Sequence, residues 1–486
     1  MIPSQSHFLS LHVGSVDLDL SKNILLYTYC YPCPIPTPPT PAAIASGQTF
    51  DLFKSHLPNM PIALSPERTR TGVTRFTGGY LVKNNKLVEE DLWISSTTGK
   101  ILHSQGVFYD YHVVPDEVID LKGKILAPGF IDVQLNGAFG FDFSTVPEDI
   151  TIYQKGLKTL NKQLIRTGVT SYLPTLPSQA AEIYHRTLPY LGPSGASRNP
   201  TEGSESLGAH CEGPFIASSK CGIHSPSVLL PGSPNGFTDF ESCYGAANLS
   251  PNHIALITTA PELPGIAAAI PQLTSRGIRV ALGHTEATYE TATSALQAGA
   301  TMLTHLFNAM QPLHHRNPGP FGTLGSTSGA SRPYFGIIAD GIHLHPTTVK
   351  IAWTAHPEGF ILVTDAMKTL GLPDGLYDWT NNDRWVKSGS RLTREGTETL
   401  AGSCATLGEC LENFWEWSGE SFAEVVRSVT ATPAAMLGLQ GVKGTLEEGA
   451  DADLVVLEAR EVAGRKKVGV EQVWKFGVRV SDDGDE

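Results

Sequence analysis

Apolar residues along this chain fall into two patterns. Some form continuous runs of five to ten positions, and others recur every three to four positions within longer segments. The first pattern reads as strands buried on both faces, the second as helices with one buried side. From residue 125 onward the two alternate. Eight strand candidates stand out: Ile125–Gln134, Val169–Thr175, Leu207–Glu212, Ile254–Ala260, Val280–His284, Thr301–Asn308, Phe335–His343 and Ile361–Asp365. Helical patterns follow most of them, at Glu148–Arg166, Gln179–Leu191, Leu263–Arg276, Tyr289–Ala298 and Pro346–Ala355. Alternation of this kind indicates βα units and a parallel sheet. Eight units predict an α/β fold, closed as a (β/α)8 TIM-like barrel. Further helices are expected near Thr406–Trp417, Phe422–Ser428 and Pro433–Leu437.

The flanks read differently. Arg75–Val82 and Asp91–Ile94 are strand-like, as are Gly449–Leu457 and Val473–Val478. The two ends are expected to pair into one small β-sandwich domain, over 73–126 and 439–482, beside a barrel over 127–438. Residues 1–72 read as an irregular Pro-rich extension, because Pro32–Pro41 is a polyproline-like tract. Cys30 and Cys33 form a C-x-x-C inside it. They lack a second pair or a βαβ context, so no redox or zinc centre is expected there. The segment Tyr377–Arg391 reads as a surface insertion and a mobile flap.

Composition narrows the class. The chain has 486 residues, 41% apolar and 17% charged, as expected of a globular protein. Its net charge of -13 argues against nucleic acid and anionic membranes as partners. No apolar run reaches the length of a membrane span, and the N-terminus lacks a secretory pattern. Seven scattered cysteines indicate a reducing compartment, and a cytoplasmic location is expected.

Candidate chemistry gathers at the strand ends. Six of the eight strands close on polar residues of ligand or acid–base type: Gln134 with Asn136, His210 with Glu212, His284, His305, Asp340 with His343, and Asp365. Barrel chemistry sits at the carboxyl ends of the strands. Two imidazoles, a carboxylate and a water make a catalytic zinc site there.

The ordered segments carry a resemblance. They are Pro128-Gly129-Phe130-Ile131-Asp132-Val133-Gln134-Leu135-Asn136-Gly137, His210-Cys211-Glu212-Gly213-Pro214-Phe215, Gly283-His284-Thr285, Thr304-His305-Leu306-Phe307-Asn308-Ala309-Met310, Ala339-Asp340-Gly341-Ile342-His343, Val363-Thr364-Asp365-Ala366 and Leu400-Ala401-Gly402-Ser403. Over about residues 74 to 480 the chain resembles the amidohydrolase superfamily, and within it the N-acetylglucosamine-6-phosphate deacetylases. The resemblance implies hydrolysis of N-acetyl-D-glucosamine 6-phosphate to D-glucosamine 6-phosphate and acetate. It maps the metal ligands to Glu212, His284 and His305, for one divalent ion per subunit, with zinc favoured. It makes Asp365 the general base and acid, and His224 the residue polarising the acetyl carbonyl. It places Ile223, His224, Asn308, Ala309, Arg316, Asp340, His343, Leu400, Ala401 and Gly402 around the sugar phosphate. Arg316 can reach a neighbouring subunit's site in relatives, which implies a homodimer. Where many amidohydrolases carry His-x-His, this chain has Gln134-Leu135-Asn136, so a second metal is not expected. Cys211, between His210 and Glu212, is expected to face the barrel wall. The alternatives are a cyclic-amide hydrolase on the same fold, which would hold two metals, and a non-catalytic interaction protein, which would hold none.

Overall fold

The computed structural model describes residues 70–104, 106–110, 112–326, 332–379 and 384–481. The Pro-rich extension, with Cys30 and Cys33, lies outside the described residues.

Eight parallel strands form the centre: β1 Phe130–Leu135, β2 Val169–Pro177, β3 Ala209–Glu212, β4 Ile254–Thr259, β5 Arg279–Leu282, β6 Met302–Leu303, β7 Tyr334–Ile338 and β8 Phe360–Val363. Each pairs in parallel with the next, from β1 to β8. Their residues are almost all buried, because helices cover the outside while side chains fill the inside.

The seam between β8 and β1 is not a regular ladder. Asp365 N–H donates to the Gln134 carbonyl at 2.9 Å and Asn136 N–H to the Ala366 carbonyl at 2.8 Å, with one parallel bridge at Leu135 and Ala366. Buried Asp132 adds to this seam. Its Oδ2 accepts from Thr364 Oγ1 at 2.6 Å, and its Oδ1 accepts from the Gln134 N–H at 3.2 Å. The catalytic candidates Gln134, Asn136 and Asp365 therefore sit where the barrel closes.

The helices begin where local chemistry lets them. Asp149 caps Ile150–Leu164 through the Thr151 N–H, and Tyr153, Leu160 and Leu164 form its buried face. Thr288 caps Tyr289–Gln297, and Pro346 occupies the first turn of Pro346–Ala355. Thr406 and Glu409 make a reciprocal capping box at the start of Leu407–Ser418.

Two sheets of the described residues flank the barrel. One has six strands, in the order Val478–Arg479, Arg465–Lys475, Leu454–Val462, Ile125–Pro128, Tyr80–Lys83, Lys86–Val88. The other has four, in the order Lys100–Leu102, Leu92–Ser95, Val73–Thr77, Glu117–Asp120. Phe76, Leu81, Ile94, Leu126, Val456 and Trp474 share one apolar cluster between them. Residues from both flanks meet in the six-stranded sheet, where Leu454–Leu457 pairs with Ile125–Pro128.

Four elements differ from the sequence reading. The run Ile125–Gln134 is two strands: Ile125–Pro128 belongs to the flanking sheet, and only Phe130–Leu135 enters the barrel. Gly129 divides them. A Cβ there would lie 2.2 Å from Thr170 Oγ1, so the close approach needs glycine. Arg75–Val82 is likewise broken at Gly78-Gly79, and its halves go to different sheets. Of Thr301–Asn308 only Met302–Leu303 pairs as a strand, because the chain turns at His305 to reach the site. Tyr377–Arg391 lies largely at the surface, as read, but its described residues are mostly in strands, and residues 380–383 lie outside the described residues. Gly375–Asp378, Arg384–Ser388 and Arg391–Arg394 form an antiparallel sheet, with Trp385 and Leu392 buried against Met367, Ala401 and Cys404. Cys211 is buried in the main core, as expected of a small apolar side chain.

Candidate metal centre and active site

The strands end at one face, and the chain turns sharply beyond them. His284, His305 and Asp365 each stand two residues past the last residue of β5, β6 and β8. Each has a positive φ, of 48°, 21° and 48°. Such backbone is uncommon outside glycine and costs on the order of 1–3 kcal/mol per residue, so it persists only where packing fixes it. Here it swings three side chains over the barrel mouth. Glu212 reaches the same point as the last residue of β3.

Glu212 Oε1 lies 3.3 Å from His284 Nε2 and 3.0 Å from His305 Nε2, and the two ring nitrogens are 3.0 Å apart. All three side chains are buried. His284 Nδ1 is 2.7 Å from the Lys220 carbonyl, which can only accept. Nδ1 therefore carries the proton and Nε2 turns a lone pair toward Glu212. Lone pairs converging in a buried space require a cation or a proton between them. Tetrahedral zinc with bonds of about 2.0–2.1 Å puts its ligand atoms about 3.3–3.5 Å apart, close to the spacing found. Nearby, Gln134 Oε1, Asn136 Oδ1 and His305 Nδ1 are buried with no hydrogen-bond partner, which suits a site built around groups beyond the polypeptide. The three residues fit a divalent metal.

Electrostatics agree. Burial would raise the Glu212 carboxyl, but the adjacent His284 and His305 imidazoles outweigh it and hold the group well below the usual range. Burial opposes charge on His305, yet the hydrogen bond and charge of Glu212 bring the imidazole up to about 9. A proton thus takes the place a cation would fill. Burial, then the charge of Glu212, lifts Asp365 to about 6.

Asp365 is tied to this centre. Gln134 Nε2 donates to Glu212 Oε1 at 2.9 Å and to Asp365 Oδ1 at 3.2 Å. Asn136 Nδ2 donates to the same Asp365 oxygen at 2.6 Å. The amide pair at the His-x-His position therefore spends its donors on carboxylates. Gln134 and Asn136 were legible as non-ligands; their positioning role follows from side chains two apart on one strand facing the same way.

His224 stands beside His284, ring centroids 4.5 Å apart. The Ser178 N–H donates to its Nδ1 at 3.0 Å, so the neutral ring carries its proton on Nε2, 4.0 Å from Glu212 Oε2. Burial and the neighbouring His284 hold His224 down at about 3, which keeps it neutral. Sequence reasoning missed Ser178, whose hydroxyl oxygen also lies 2.7 Å from His224 Nδ1, because no motif links two residues 46 positions apart. His210 is not part of the centre. It is a buried histidine with Nε2 2.7 Å from Thr258 Oγ1, pushed down to about 4 by burial.

A cavity of about 230 Å3 opens over the centre. Besides the acid and imidazole groups it is lined by Ile223, Asn308, Ala309, His343, Leu400 and Gly402. Asp340 sits behind His343, accepting from its Nδ1 at 2.6 Å and its N–H at 2.9 Å. Ala401 lines an adjoining cavity. Arg316 is exposed on a loop and does not line either one.

A second acidic group, Glu205, Asp451 and Asp453, has ligand-like spacing. It is filled by two buried ammonium groups. Lys443 Nζ is 2.8 Å from both aspartates and contacts Glu205, and Lys475 Nζ is 2.6 Å from Glu205 and 2.8 Å from Asp453. Among the described residues no helix is long and apolar enough to cross a membrane.

The chain is similar to known proteins over most of its length. The amidohydrolase family profile matches residues 381–481. The chain is 42% identical over 407 residues to an N-acetylglucosamine-6-phosphate deacetylase of Danio rerio, covering 83% of this chain and 97% of that protein. The crystal structure of the enzyme of that name from Pasteurella multocida superposes with a TM-score of 0.69 at 27% identity, over 84% of this chain and 99% of that one. A D267A mutant of the N-acetyl-D-glucosamine-6-phosphate deacetylase from Mycobacterium smegmatis, in complex with N-acetyl-D-glucosamine-6-phosphate, gives 0.66 at 28% identity, over 84% and 98%.

Proposed function

The chain belongs to the N-acetylglucosamine-6-phosphate deacetylase family of amidohydrolases, and we propose that it hydrolyses N-acetyl-D-glucosamine 6-phosphate to D-glucosamine 6-phosphate and acetate. The observation that carries this reading is the Glu212–His284–His305 cluster, with ligand atoms 3.0–3.3 Å apart, joined to Asp365 through Gln134.

Glu212, His284 and His305 would hold one divalent ion per subunit, zinc by the preference of a two-imidazole, one-carboxylate set. When bound, that ion supplies Lewis acidity, polarising the acyl oxygen and making water a stronger acid. Asp365 takes the proton from the attacking water. As the water oxygen bonds to the acyl carbon, the C–N bond breaks with its electron pair going to nitrogen, and Asp365 returns the proton there. Gln134 and Asn136 fix Asp365 through Oδ1, which assigns the proton transfer to Oδ2. His224 donates Nε2–H to the acyl oxygen as negative charge grows on it.

The sugar phosphate occupies the lobe bounded by Asn308, Ala309, His343 and the backbone of Leu400, Ala401 and Gly402, with Ile223 as an apolar contact. Asp340 orients His343. Arg316, exposed and outside its own cavity, fits the phosphate of a second copy's site, in a homodimer. This role belongs to cytoplasmic breakdown of amino sugars.

The test measures acetate release from N-acetylglucosamine 6-phosphate and from the unphosphorylated sugar, with metal analysis of the same protein. Turnover of the phosphorylated sugar alone is expected. Metal-loaded protein releasing acetate from neither would overturn the reading.

A further inference from the structure

The metal cavity has a neighbour. A second cavity, of about 350 Å3, shares Asn136, Pro177, Ile223 and His224 with it. Its apolar wall is built by Met367, Trp379, Trp385 and Ala401, so the antiparallel sheet from Gly375 to Arg394 carries much of it. Trp385 is buried, and its Nε1–H has no hydrogen-bond partner. Val228 lines this cavity from another side, and Asp142, Ser144 and Gln179 give it a polar margin.

The two cavities meet at His224, where the reacting amide must sit. A secondary amide is planar and strongly prefers the trans form. Its nitrogen and carbonyl substituents therefore point in opposite directions. With the sugar ring in the lobe of Asn308, His343 and Gly402, the acyl substituent points past His224 into the second cavity. The methyl of an acetyl group occupies only a small part of 350 Å3.

We propose that the second cavity is an acyl pocket, and that the enzyme hydrolyses N-acyl amino-sugar phosphates whose acyl chain is longer than acetyl. This inference rests on the deacetylase reading above. The step is the same hydrolysis. Water oxygen joins the acyl carbon, the C–N electron pair leaves on nitrogen, Asp365 carries the proton across, and the products are a propionate or butyrate and the amino-sugar phosphate. The added methylenes lie against Trp379, Trp385 and Met367, where apolar surface leaves water.

The experiment compares kcat/KM for the N-acetyl, N-propionyl and N-butyryl derivatives of glucosamine 6-phosphate, following the free amine common to all three. Values within about tenfold of one another are expected, whereas a pocket sized for acetyl rejects one extra methylene by about 10–200-fold. In parallel, Val228→Phe is expected to lower the butyryl-to-acetyl ratio by about tenfold through loss of pocket space. Normal acetyl turnover with propionyl and butyryl reduced more than about tenfold, or an unchanged ratio in Val228→Phe, would overturn the acyl pocket alone. Absence of turnover on all three derivatives would instead remove the deacetylase reading on which it stands.

Discussion

Asn136 Nδ2 donates to Asp365 Oδ1 at 2.6 Å, binding the end of the first barrel strand to the residue that follows the eighth. The contact leaves one Asp365 oxygen for proton transfer. Asp365→Asn keeps the shape and removes the basic oxygen. It is expected to lower kcat by about 10²–10⁴-fold, the usual worth of a positioned base. Metal content measured on the same sample should stay at the wild-type level. Turnover within tenfold of wild type would rule Asp365 out as the base.

The pH dependence follows from the same residue. Burial, and then Glu212, raises Asp365 to about 6. The base works ionised, so activity is present above that value and is lost as pH falls through it. A cation on Glu212 offsets the repulsion, which puts the acid limb of kcat/KM in the loaded enzyme at or below about 6. A limb centred above pH 7 would mean that another group titrates.

The barrel was readable because strands buried on both faces leave unbroken apolar runs, and the site because His284, His305 and Asp365 end such runs. What was not readable depends on partners remote in sequence. Pro128-Gly129 did carry a turn signal between Ile125 and Gln134, but only the nearness of Thr170 shows why the position that divides two sheets must be glycine. Gly78-Gly79 did carry a turn signal within Arg75–Val82, but not the information that each half would pair elsewhere. In Arg384–Ser388 burial alternates, with Trp385 and Lys387 turned inward. Arg384 and Ser388 on the other face, with the inward Lys387, gave that stretch the appearance of an exposed loop.

Metal dependence is expected to track the ligands. His284→Ala removes one imidazole and leaves Glu212 and His305 insufficient for a tight site. The variant should purify without the ion and release no acetate. Wild type treated with a chelator should lose activity and regain it when zinc is added. Retention of one ion per chain by His284→Ala would show that the metal sits elsewhere.

Stability has its own test at Lys475. Its ammonium is fully buried against Glu205 at 2.6 Å, Asp453 at 2.8 Å and the Thr170 carbonyl at 3.0 Å. Lys475→Met keeps the volume and leaves buried carboxylates without one of their cations. A loss of about 3–5 kcal/mol is expected by urea denaturation. A midpoint unchanged from wild type would show that Lys443 alone satisfies the cluster.

The six-stranded sheet sets a schedule for synthesis. Ile125–Pro128 runs directly into the first barrel strand, yet its antiparallel neighbour is Leu454–Val462. Roughly three hundred residues lie between them, about 20–60 seconds of translation at ordinary ribosomal speed. Until then that edge stays open on the nascent polypeptide. A chain stalled before residue 454 would therefore present an unpaired edge to chaperones or to aggregation.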